Sequence, residues 1–365
     1  MRPLLFVFGT RPEAIKLCPV IRAAAAAGLP VRVCVTAQHR AMLDQVLDCF
    51  GVHPDHDLDL MQPGQTLGLL TARALDALEP VLDAEKPSMV IVQGDTTTTM
   101  AAALAAFYRQ IPVAHVEAGL RTGDLRQPFP EEWNRVATTR LAAIHFAPTE
   151  GARRNLLAEG VPAERIHVTG NTGIDAILQT VQALDAGALP RPEWPWLEPD
   201  RKLLLVTAHR RESFGSGIAG ICGALADLSR RPDVQIVFPV HRNPNVLEVV
   251  SARLGGIPNV VLLDPVEYPA FVDLMRRSYL ILTDSGGIQE EAPSLGKPVL
   301  VLRDVTERPE AVEAGTVRLV GANGERIVAA ATTLLDNPVQ YARMSAVHNP
   351  YGDGHATTRI LAALA

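Results

Sequence analysis

The sequence of 365 residues lacks several features that mark particular classes of protein. It has only four cysteines, without C-x-x-C spacing, and each lies in an apolar or helical stretch, so we expect buried thiols. No apolar run approaches 18 residues, which predicts no transmembrane helix. The apolar run that ends at Phe8 is too short for the apolar core of a signal peptide. We therefore expect a cytoplasmic protein with no membrane partner.

The sequence also lacks any block of lysines and arginines, and its net charge is only −6. This argues against nucleic acid as a partner, because polyanions are bound by clustered positive charge. Any anion that the protein binds must instead be held by a few individually placed groups. The length exceeds that of one ordinary core, so two domains are expected.

Short apolar runs alternate with longer helical patterns, which is typical of parallel sheets built from β-α-β units. In the first half, strands are predicted at Leu4–Phe8, Val31–Thr36, Met89–Gln93, Val113–Val116 and Ile144–Ala147. In the second half, strands are predicted at Leu203–Thr207, Gln235–Pro239, Val260–Leu263, Leu280–Thr283 and Val299–Leu302. Between the two series, residues 184–200 contain four prolines and two tryptophans and interrupt the rhythm.

This pattern predicts an α/β protein with two Rossmann-like, doubly wound domains that face a cleft. The first domain is predicted to comprise residues 1–170 together with a C-terminal helix at 350–365. The second, nucleotide-binding domain is predicted at 171–349. Parallel sheets bind ligands at the carboxyl ends of their strands, so polar clusters that directly follow the strands are the candidate sites.

The first such cluster runs from Gly9 to Lys16 and opens a helix with a proline at its start. Arg11 and Lys16 lie near the positive end of that helix, which suits an anion. The turn has only one glycine, so it is not the G-x-G-x-x-G cradle of a nicotinamide dinucleotide. The alternative is a capped helix that carries two solvated cations.

Three further clusters in the first half supply carboxylates. Asp95 and Glu117 each follow a predicted strand, and Glu131 opens a predicted helix next to Glu132. The alternative for Asp95 is a helix cap, and the alternative for Glu131 and Glu132 is that they only complement the helix dipole. If the strands are neighbours, however, the three carboxylates converge on one edge. A convergent set of carboxylates is what general acid–base chemistry requires.

Two clusters in the second half suit a phosphate. His209 follows a strand beside two arginines and is placed to contact a phosphate or a sugar hydroxyl, although a lone histidine is more often structural. The strand that ends at Thr283 leads into Ser-Gly-Gly and a helix, whose alternative is a plain turn. Glu291 lies one turn further on, within reach of ribose hydroxyls. The groups placed to hold a diphosphate are Ser285, Gly286, Gly287 and, on the same rim, Arg308.

Together these clusters resemble the bacterial non-hydrolysing UDP-N-acetylglucosamine 2-epimerases. The resemblance runs from Phe8-Gly9-Thr10-Arg11-Pro12-Glu13 to Asn349-Pro350-Tyr351-Gly352-Asp353-Gly354, in the family's order and spacing. It implies the GT-B architecture, a homodimer, and no requirement for nicotinamide or metal. It also implies reversible epimerisation at C2 of UDP-N-acetylglucosamine to UDP-N-acetylmannosamine. In this family UDP is thought to be eliminated to leave a 2-acetamidoglucal and then re-added.

The resemblance also implies roles for individual residues. The implied catalytic residues are Asp95, Glu117, Glu131 and His209, the last on the diphosphate side. The residues implied to bind the substrate are Arg11, Lys16, Arg135, Phe271, Ser285, Gly286, Gly287, Glu291 and Arg308. Which carboxylate is the base stays open.

Many family members bind a second UDP-N-acetylglucosamine as an activator. The positions implied for this site are Gln38, His39, Arg210 and His241. Ala41 stands where the family commonly has Glu or Gln, and Arg242 stands where it has an apolar residue. A lost hydrogen bond typically costs about 1 kcal/mol, so we expect a weakened activator site unless Arg242 contributes a contact. The alternatives to the epimerase are a GT-B glycosyltransferase, a hydrolysing epimerase and a non-catalytic UDP-sugar sensor.

Overall fold

The computed structural model of the chain describes residues 2–36, 40–62, 64–208, 215–346 and 348–364, and only the backbone of residues 40, 41 and 216. Four predicted site residues therefore lie outside the described residues: Gln38, His39, His209 and Arg210. No helix within the described ranges is long and apolar enough to span a bilayer. The chain divides into two compact units, Met1–Ala176 with Tyr351–Ala365 and Ile177–Pro350.

Each unit is built around one parallel sheet. The strands of the first unit are β1 (Leu4–Phe8), β2 (Val31–Val35), β3 (His56–Asp57), β4 (Met89–Gln93), β5 (Val113–Val116), β6 (Ile144–Ala147) and β7 (Ile166–Val168). Their order is β3-β2-β1-β4-β5-β6-β7. The strands of the second unit are β8 (Lys202–Thr207), β9 (Val234–Pro239), β10 (Val260–Leu263), β11 (Leu280–Thr283), β12 (Val299–Val301) and β13 (Val317–Leu319). Their order is β10-β9-β8-β11-β12-β13.

Helices follow most of the strands and cover the two sheets. Those assigned to the first unit are α1 (Arg11–Ala26), α2 (Arg40–Phe50), α3 (Leu67–Glu85), α4 (Thr97–Tyr108), α5 (Glu131–Leu141), α6 (Glu150–Ala158) and α15 (Ala356–Leu364), and α7 (Thr172–Asp185) crosses the boundary between the units. Those of the second unit are α8 (Ser216–Leu228), α9 (Pro244–Leu254), α10 (Tyr268–Arg277), α11 (Gly286–Glu291), α12 (Pro309–Ala314), α13 (Gly324–Asp336) and α14 (Pro338–Ser345). The predicted fold class of two doubly wound parallel α/β domains is confirmed.

All ten predicted strands are present, with bounds that differ by at most one residue. Strand β1 is buried along its whole length, which explains why its sequence is a continuous apolar run. The sequence missed β3, β7 and β13, which have only two or three residues each and lie at the edges of their sheets. Strands of two or three residues are shorter than the apolar runs of four to six from which the other strands are predicted.

The last residues of the chain pack onto the first unit. The amide of Asn171 donates to the carbonyl of Tyr351 (2.7 Å), whose side chain is fully buried. The carboxylate of Asp175 accepts from the amides of Ala356 (3.2 Å) and Thr357 (2.9 Å) at the start of α15. These bonds satisfy amides that lack partners within the helix, and they fix where α15 begins.

The cysteines are structural rather than reactive. Cys18, Cys34 and Cys222 are buried, as predicted, while Cys49 is half-buried. Burial raises the pKa of Cys34 to about 12 and that of Cys222 to about 11. Both thiols therefore stay protonated at neutral pH and are poor nucleophiles.

Candidate active site

Three neighbouring strands of the first unit, β1, β4 and β5, end at the same edge of the sheet. Gln93 at the end of β4 pairs with Val116 at the end of β5, and the amide of Gly94 donates to the carbonyl of Val116 (3.0 Å). Asp95 and Glu117 therefore follow adjacent strands directly. Together with the first residue of α5, Glu131, they supply the three predicted carboxylates.

Glu117 is held by several donors. Its side chain is only 8% exposed, and Lys16 Nζ lies 2.5 Å from Oε1. Asn171 Nδ2 also donates to Oε1 (3.4 Å), and Gln93 Nε2 donates to Oε2. The backbone of Glu117 has φ of +62°, a left-handed conformation that is uncommon outside glycine and clusters at functional sites. The surrounding groups thus fix both the backbone and the carboxylate of this residue.

Lys16 differs from the prediction in its immediate surroundings. The sequence placed it beside a bound anion or in solvent, whereas the structure buries it to 8% exposure against Glu117. The alternative of a helix that carries two solvated cations is therefore wrong for Lys16. Arg11 is the first residue of α1 and is half-buried.

Asp95 is held from the side of α5. Arg135 forms an ion pair with its carboxylate and lies 3.3 Å from that of Glu132, and Asn134 Nδ2 donates to the carbonyl of Asp95 (2.9 Å). The N-cap of α4 is Thr96, whose Oγ1 accepts from the amide of Thr99 (3.1 Å). The alternative that Asp95 serves as the helix cap is therefore wrong. Its side chain remains 30% exposed, so a ligand can reach it.

The two glutamates at the start of α5 have different surroundings. Glu132 is 1% exposed, and its Oε1 accepts from the amides of Thr122 (3.0 Å) and Gly123 (3.1 Å), which fixes the preceding turn. Glu131 is half-buried, and its carboxylate has no hydrogen-bond partner within the part of the chain that the structure describes. Glu132 thus stabilises the preceding turn, and Glu131 has no such contact among the described residues.

The second unit carries the predicted glycine turn. The amide of Ser285 donates to Thr283 Oγ1 (3.0 Å), and α11 begins at Gly286. A Cβ atom on Gly286 would lie 2.5 Å from Cζ of Arg308, so the guanidinium rests directly on the glycine. The structure therefore brings Arg308 to the turn, and only glycine leaves room for it there.

The guanidinium of Arg308 is fixed by acidic neighbours. Its Nε donates to Oε1 of Glu290 (2.7 Å), which is 1% exposed, and its Nη1 lies 3.5 Å from Glu307. Burial would raise the pKa of Glu307, but hydrogen bonds from Arg303 and the charges of Arg303 and Arg308 lower it to about 2. The turn is thus bordered by an ordered network of opposite charges.

The remaining predicted residues of the second unit are half-buried or exposed. Phe271 in α10 and Glu291 at the end of α11 are half-buried. His241 is exposed, and its Nδ1 accepts from the amide of Asn243 (3.1 Å). Arg242 lies 3.8 Å from Asp264, with both side chains largely exposed. Arg242 is thus free to reorient toward a phosphate.

Three buried polar residues around the candidate site are not predicted from the sequence. Gln93, Asn171 and Glu132 are each less than 5% exposed and polar, and each contacts a group of the site. The sequence signal of Gln93 and Asn171 is only a polar residue at or shortly after the end of an apolar run, and that of Glu132 is an acidic residue in the first turn of a helix. Neither signal reveals which group such a residue touches.

A buried histidine pair lies beneath this edge of the sheet. His115 in β5 pairs in register with His145 in β6, and both are at most 1% exposed. His115 Nε2 donates to the carbonyl of Gly94 (2.7 Å), while its Nδ1 has no partner among the described residues. Burial lowers the pKa of His115 to about 3 and that of His145 to about 4, so both rings are neutral at pH 7.

Acidification should therefore destabilise the protein before most carboxylates titrate. The ordinary pKa of 6.5 applies to His115 in the unfolded chain, so its contribution is complete above pH 6.5 and is lost as the pH falls toward 3. The slope per buried histidine is about 1.4 kcal/mol per pH unit. Urea unfolding at pH 7 and 5.5 should show a smaller difference in His115→Gln, which can still donate to Gly94. The same substitution at the exposed His53 should leave the difference unchanged, and equal slopes in all three proteins would contradict this account.

Known proteins of similar sequence and structure identify the family of this chain. A family model described as UDP-N-acetylglucosamine 2-epimerase matches residues 22–365. The UDP-N-acetylglucosamine 2-epimerase of Escherichia coli (strain K12) is 59% identical, over 99% of this chain and 98% of that protein. The crystal structure of UDP-GlcNAc 2-epimerase from Neisseria meningitidis bound to UDP-GlcNAc is 49% identical, with a TM-score of 0.93 over 99% of both chains.

A more distant relative has the same fold over the same length. The Methanocaldococcus jannaschii UDP-GlcNAc 2-epimerase, in complex with UDP-GlcNAc and UDP, is 35% identical, with a TM-score of 0.82 over 99% of both chains. The resemblance drawn from the six sequence clusters is thus confirmed. The chain belongs to the UDP-N-acetylglucosamine 2-epimerase family and is an enzyme of that class.

Proposed function

We propose that the protein interconverts UDP-N-acetylglucosamine and UDP-N-acetylmannosamine without net hydrolysis, by elimination and re-addition of UDP. One observation carries the proposal beyond family membership. Asp95 and Glu117 directly follow two neighbouring strands, β4 and β5, and Glu131 opens α5, the helix whose Asn134 and Arg135 contact Asp95. A protein that only binds a UDP-sugar gains nothing from several carboxylates placed near a diphosphate.

The chemistry requires both a base and an acid. The proton on C2 of the sugar is not activated, so its direct removal to a free carbanion is too costly. In the proposed route a carboxylate accepts the C2 proton as the C1–O bond to UDP breaks, which forms a C1=C2 double bond and free UDP. A carboxylic acid then protonates C2 from the opposite face while UDP re-forms its bond to C1. UDP is released and consumed in equal amounts, so there is no net loss of nucleotide.

The departing diphosphate also needs stabilisation. The second unit supplies Arg308, the hydroxyl of Ser285 and the amides of Gly286 and Gly287, which are donors suited to developing negative charge. Glu291 is proposed to bind the ribose hydroxyls, and Phe271 to lie by the uracil. Arg11 is proposed to contribute a further cation, as the resemblance implies. His209 is proposed to contact the diphosphate side.

Proton NMR of UDP-N-acetylglucosamine incubated with the protein in deuterated water tests this route. We expect deuterium at C2 of both epimers, together with traces of UDP and the 2-acetamidoglucal, because the C2 proton is lost to a group that exchanges with solvent. Incubation with protein carrying both Asp95→Asn and Glu117→Gln is the control and should show neither exchange nor epimer. Inversion with complete retention of protium at C2 would contradict elimination.

The same experiment separates the rival functions. A glycosyltransferase without its acceptor leaves C2 untouched. A hydrolysing epimerase releases UDP and free N-acetylmannosamine in step, whereas the proposed enzyme leaks only traces of UDP. A UDP-sugar sensor binds the substrate and changes nothing.

Three further features of the proposal rest on the resemblance. They are a homodimer, a cytoplasmic location, and activation by a second UDP-N-acetylglucosamine at Gln38, His39, Arg210 and His241. The exposed His241 and the loosely held Arg242 are compatible with a ligand at that position. The absence of a polar side chain at Ala41 is expected to weaken the second site.

A further inference from the structure

One carboxylate that the proposed chemistry does not use joins two loops of the candidate active site. Glu13, in the first turn of α1, is 2% exposed. Its Oε2 accepts from the amides of Gly9 (3.1 Å) and Thr10 (2.8 Å) and from Thr10 Oγ1 (2.7 Å). Its Oε1 accepts from Thr96 Oγ1 (2.7 Å), while Thr99 Oγ1 lies 3.2 Å away and donates to the carbonyl of Gln93 (2.6 Å). Each oxygen thus serves a different loop.

Helix capping alone does not account for this arrangement. A capping box needs only the contacts between Glu13 and the N-cap residue, Thr10. Here the second oxygen reaches a different helix, 83 residues further along the chain. Burial raises the pKa of Glu13 in spite of hydrogen bonds from Thr10 and Thr96, so keeping a carboxylate here has an energetic cost. In return, the buried carboxylate accepts the hydrogen bond from Thr96 Oγ1.

That contact fixes the turn that carries Asp95. On one side, Asn134 Nδ2 binds the carbonyl of Asp95 and Arg135 pairs with its carboxylate. On the other side, the next residue, Thr96, is bound by Glu13. The backbone of Asp95 is therefore held between α5 and α1.

We propose that Glu13 is a positioning residue that acts through Thr96 to hold Asp95 in its reactive geometry. The inference rests on the proposed function, because it takes Asp95 as an acid–base group. Displacement of such a group by about 1 Å can lower turnover by roughly 10²-fold while substrate binding persists. Loss of the bridge should therefore reduce kcat far more than it changes KM.

Substitutions at two threonines of the same turn test the role. Thr96→Val removes the donor to Glu13, and we expect kcat to fall about 10²-fold with KM within roughly twofold. Thr98→Val is the matched control, because Thr98 Oγ1 shares its buried hydrogen bond with Thr36 (2.8 Å) rather than with Glu13. It should lower the melting temperature to a similar degree and keep kcat near that of the wild type. Thr96→Ser keeps the hydroxyl and should restore turnover to within about threefold.

The N-cap role of Thr96 is separated by a further variant. Aspartate is as good an N-cap as threonine, but its carboxylate cannot donate to Glu13 and is repelled by it. Thr96→Asp should therefore lose kcat about as much as Thr96→Val, and it also serves if Thr96→Val does not fold. A folded Thr96→Asp or Thr96→Val with the turnover of the wild type would overturn the inference.

A double-mutant cycle shows whether the bridge acts through Asp95. In the Asp95→Asn background, Thr96→Val should lower the residual kcat by less than about twofold, because the group that it positions is already inactive. A full and additive loss in that background would reduce Glu13 to a structural role. Wild-type protein that does not epimerise at all would instead refute the proposed function, so the two failures are distinguishable.

Discussion

Replacement of Glu117 by glutamine is expected to lower turnover by roughly 10²–10⁴-fold, the usual contribution of a general acid or base. Glutamine has the size and shape of the carboxylate but cannot accept or release a proton at its amide. The surroundings still accommodate it, since Lys16 can donate to the amide oxygen, and the amide group of Gln93 can turn to accept from the new NH₂. The loss should therefore reflect chemistry rather than misfolding. Steady-state kinetics from UDP-N-acetylglucosamine provides the measurement.

The same comparison extends to the other two carboxylates. Asp95→Asn and Glu131→Gln should also lose roughly 10²–10⁴-fold in turnover, while UDP affinity by calorimetry changes far less. Glu325→Gln is the matched control, because Glu325 also lies in the first turn of a helix but is exposed and belongs to the second unit. It should behave like the wild type. Normal turnover in any of the three site variants would remove that residue from the mechanism.

The sequence predicted the positions of the site better than its contacts. Asp95, Glu117 and Ser285 each follow the carboxyl end of a parallel strand, and strand ends are visible where apolar runs stop. The adjacency of β4 and β5 could be expected from the regular alternation of strands and helices. In contrast, the edge strand β3 has two polar residues and no pattern to recognise.

What the sequence could not supply was the partner of each buried charge. Lys16 and Glu117 are 101 residues apart, and nothing in either segment specifies their ion pair. From its own helix alone, Lys16 is predicted to be a cation near the positive end of α1. The sequence shows Glu13 only as part of a motif. Its hydrogen bond with Thr96 depends on the conformations of two side chains, which sequence periodicity does not predict. Buried polar networks are thus the part of a site that sequence patterns leave open.

The two glycines of the Ser-Gly-Gly turn should respond very differently to the same added methyl group. A Cβ on Gly286 would lie 2.5 Å from both Cζ and Nη1 of Arg308, whereas a Cβ on Gly287 would meet Glu291 Oε1 at an ordinary 3.7 Å. Neither glycine has a left-handed backbone, so the difference between the two variants arises from packing. Gly286→Ala must therefore displace the guanidinium of Arg308.

Displacement of Arg308 breaks its charge-assisted hydrogen bond to Glu290 and moves the cation away from the turn. The proposed hydrogen bond from Arg308 to the diphosphate is then lost. Hydrogen bonds to charged groups contribute about 1.5–3 kcal/mol, so UDP affinity should fall by about 10²-fold in Gly286→Ala. Gly287→Ala should lose less than about tenfold, because its methyl group meets no obstacle. Isothermal titration of UDP into both variants makes the comparison within one scaffold.

Removal of the Arg308 side chain shows whether it causes the loss of UDP affinity in Gly286→Ala. Arg308→Ala alone should weaken UDP binding to a similar extent, because the same cation is lost. In that background Gly286→Ala should cost little more, since the three atoms nearest to its Cβ all belong to the removed guanidinium. If the two losses are additive, the methyl group acts through the backbone of the turn and not through Arg308. If Gly286→Ala binds UDP as tightly as the wild type, the turn is not where the nucleotide is held, and the diphosphate must be sought elsewhere on the second unit.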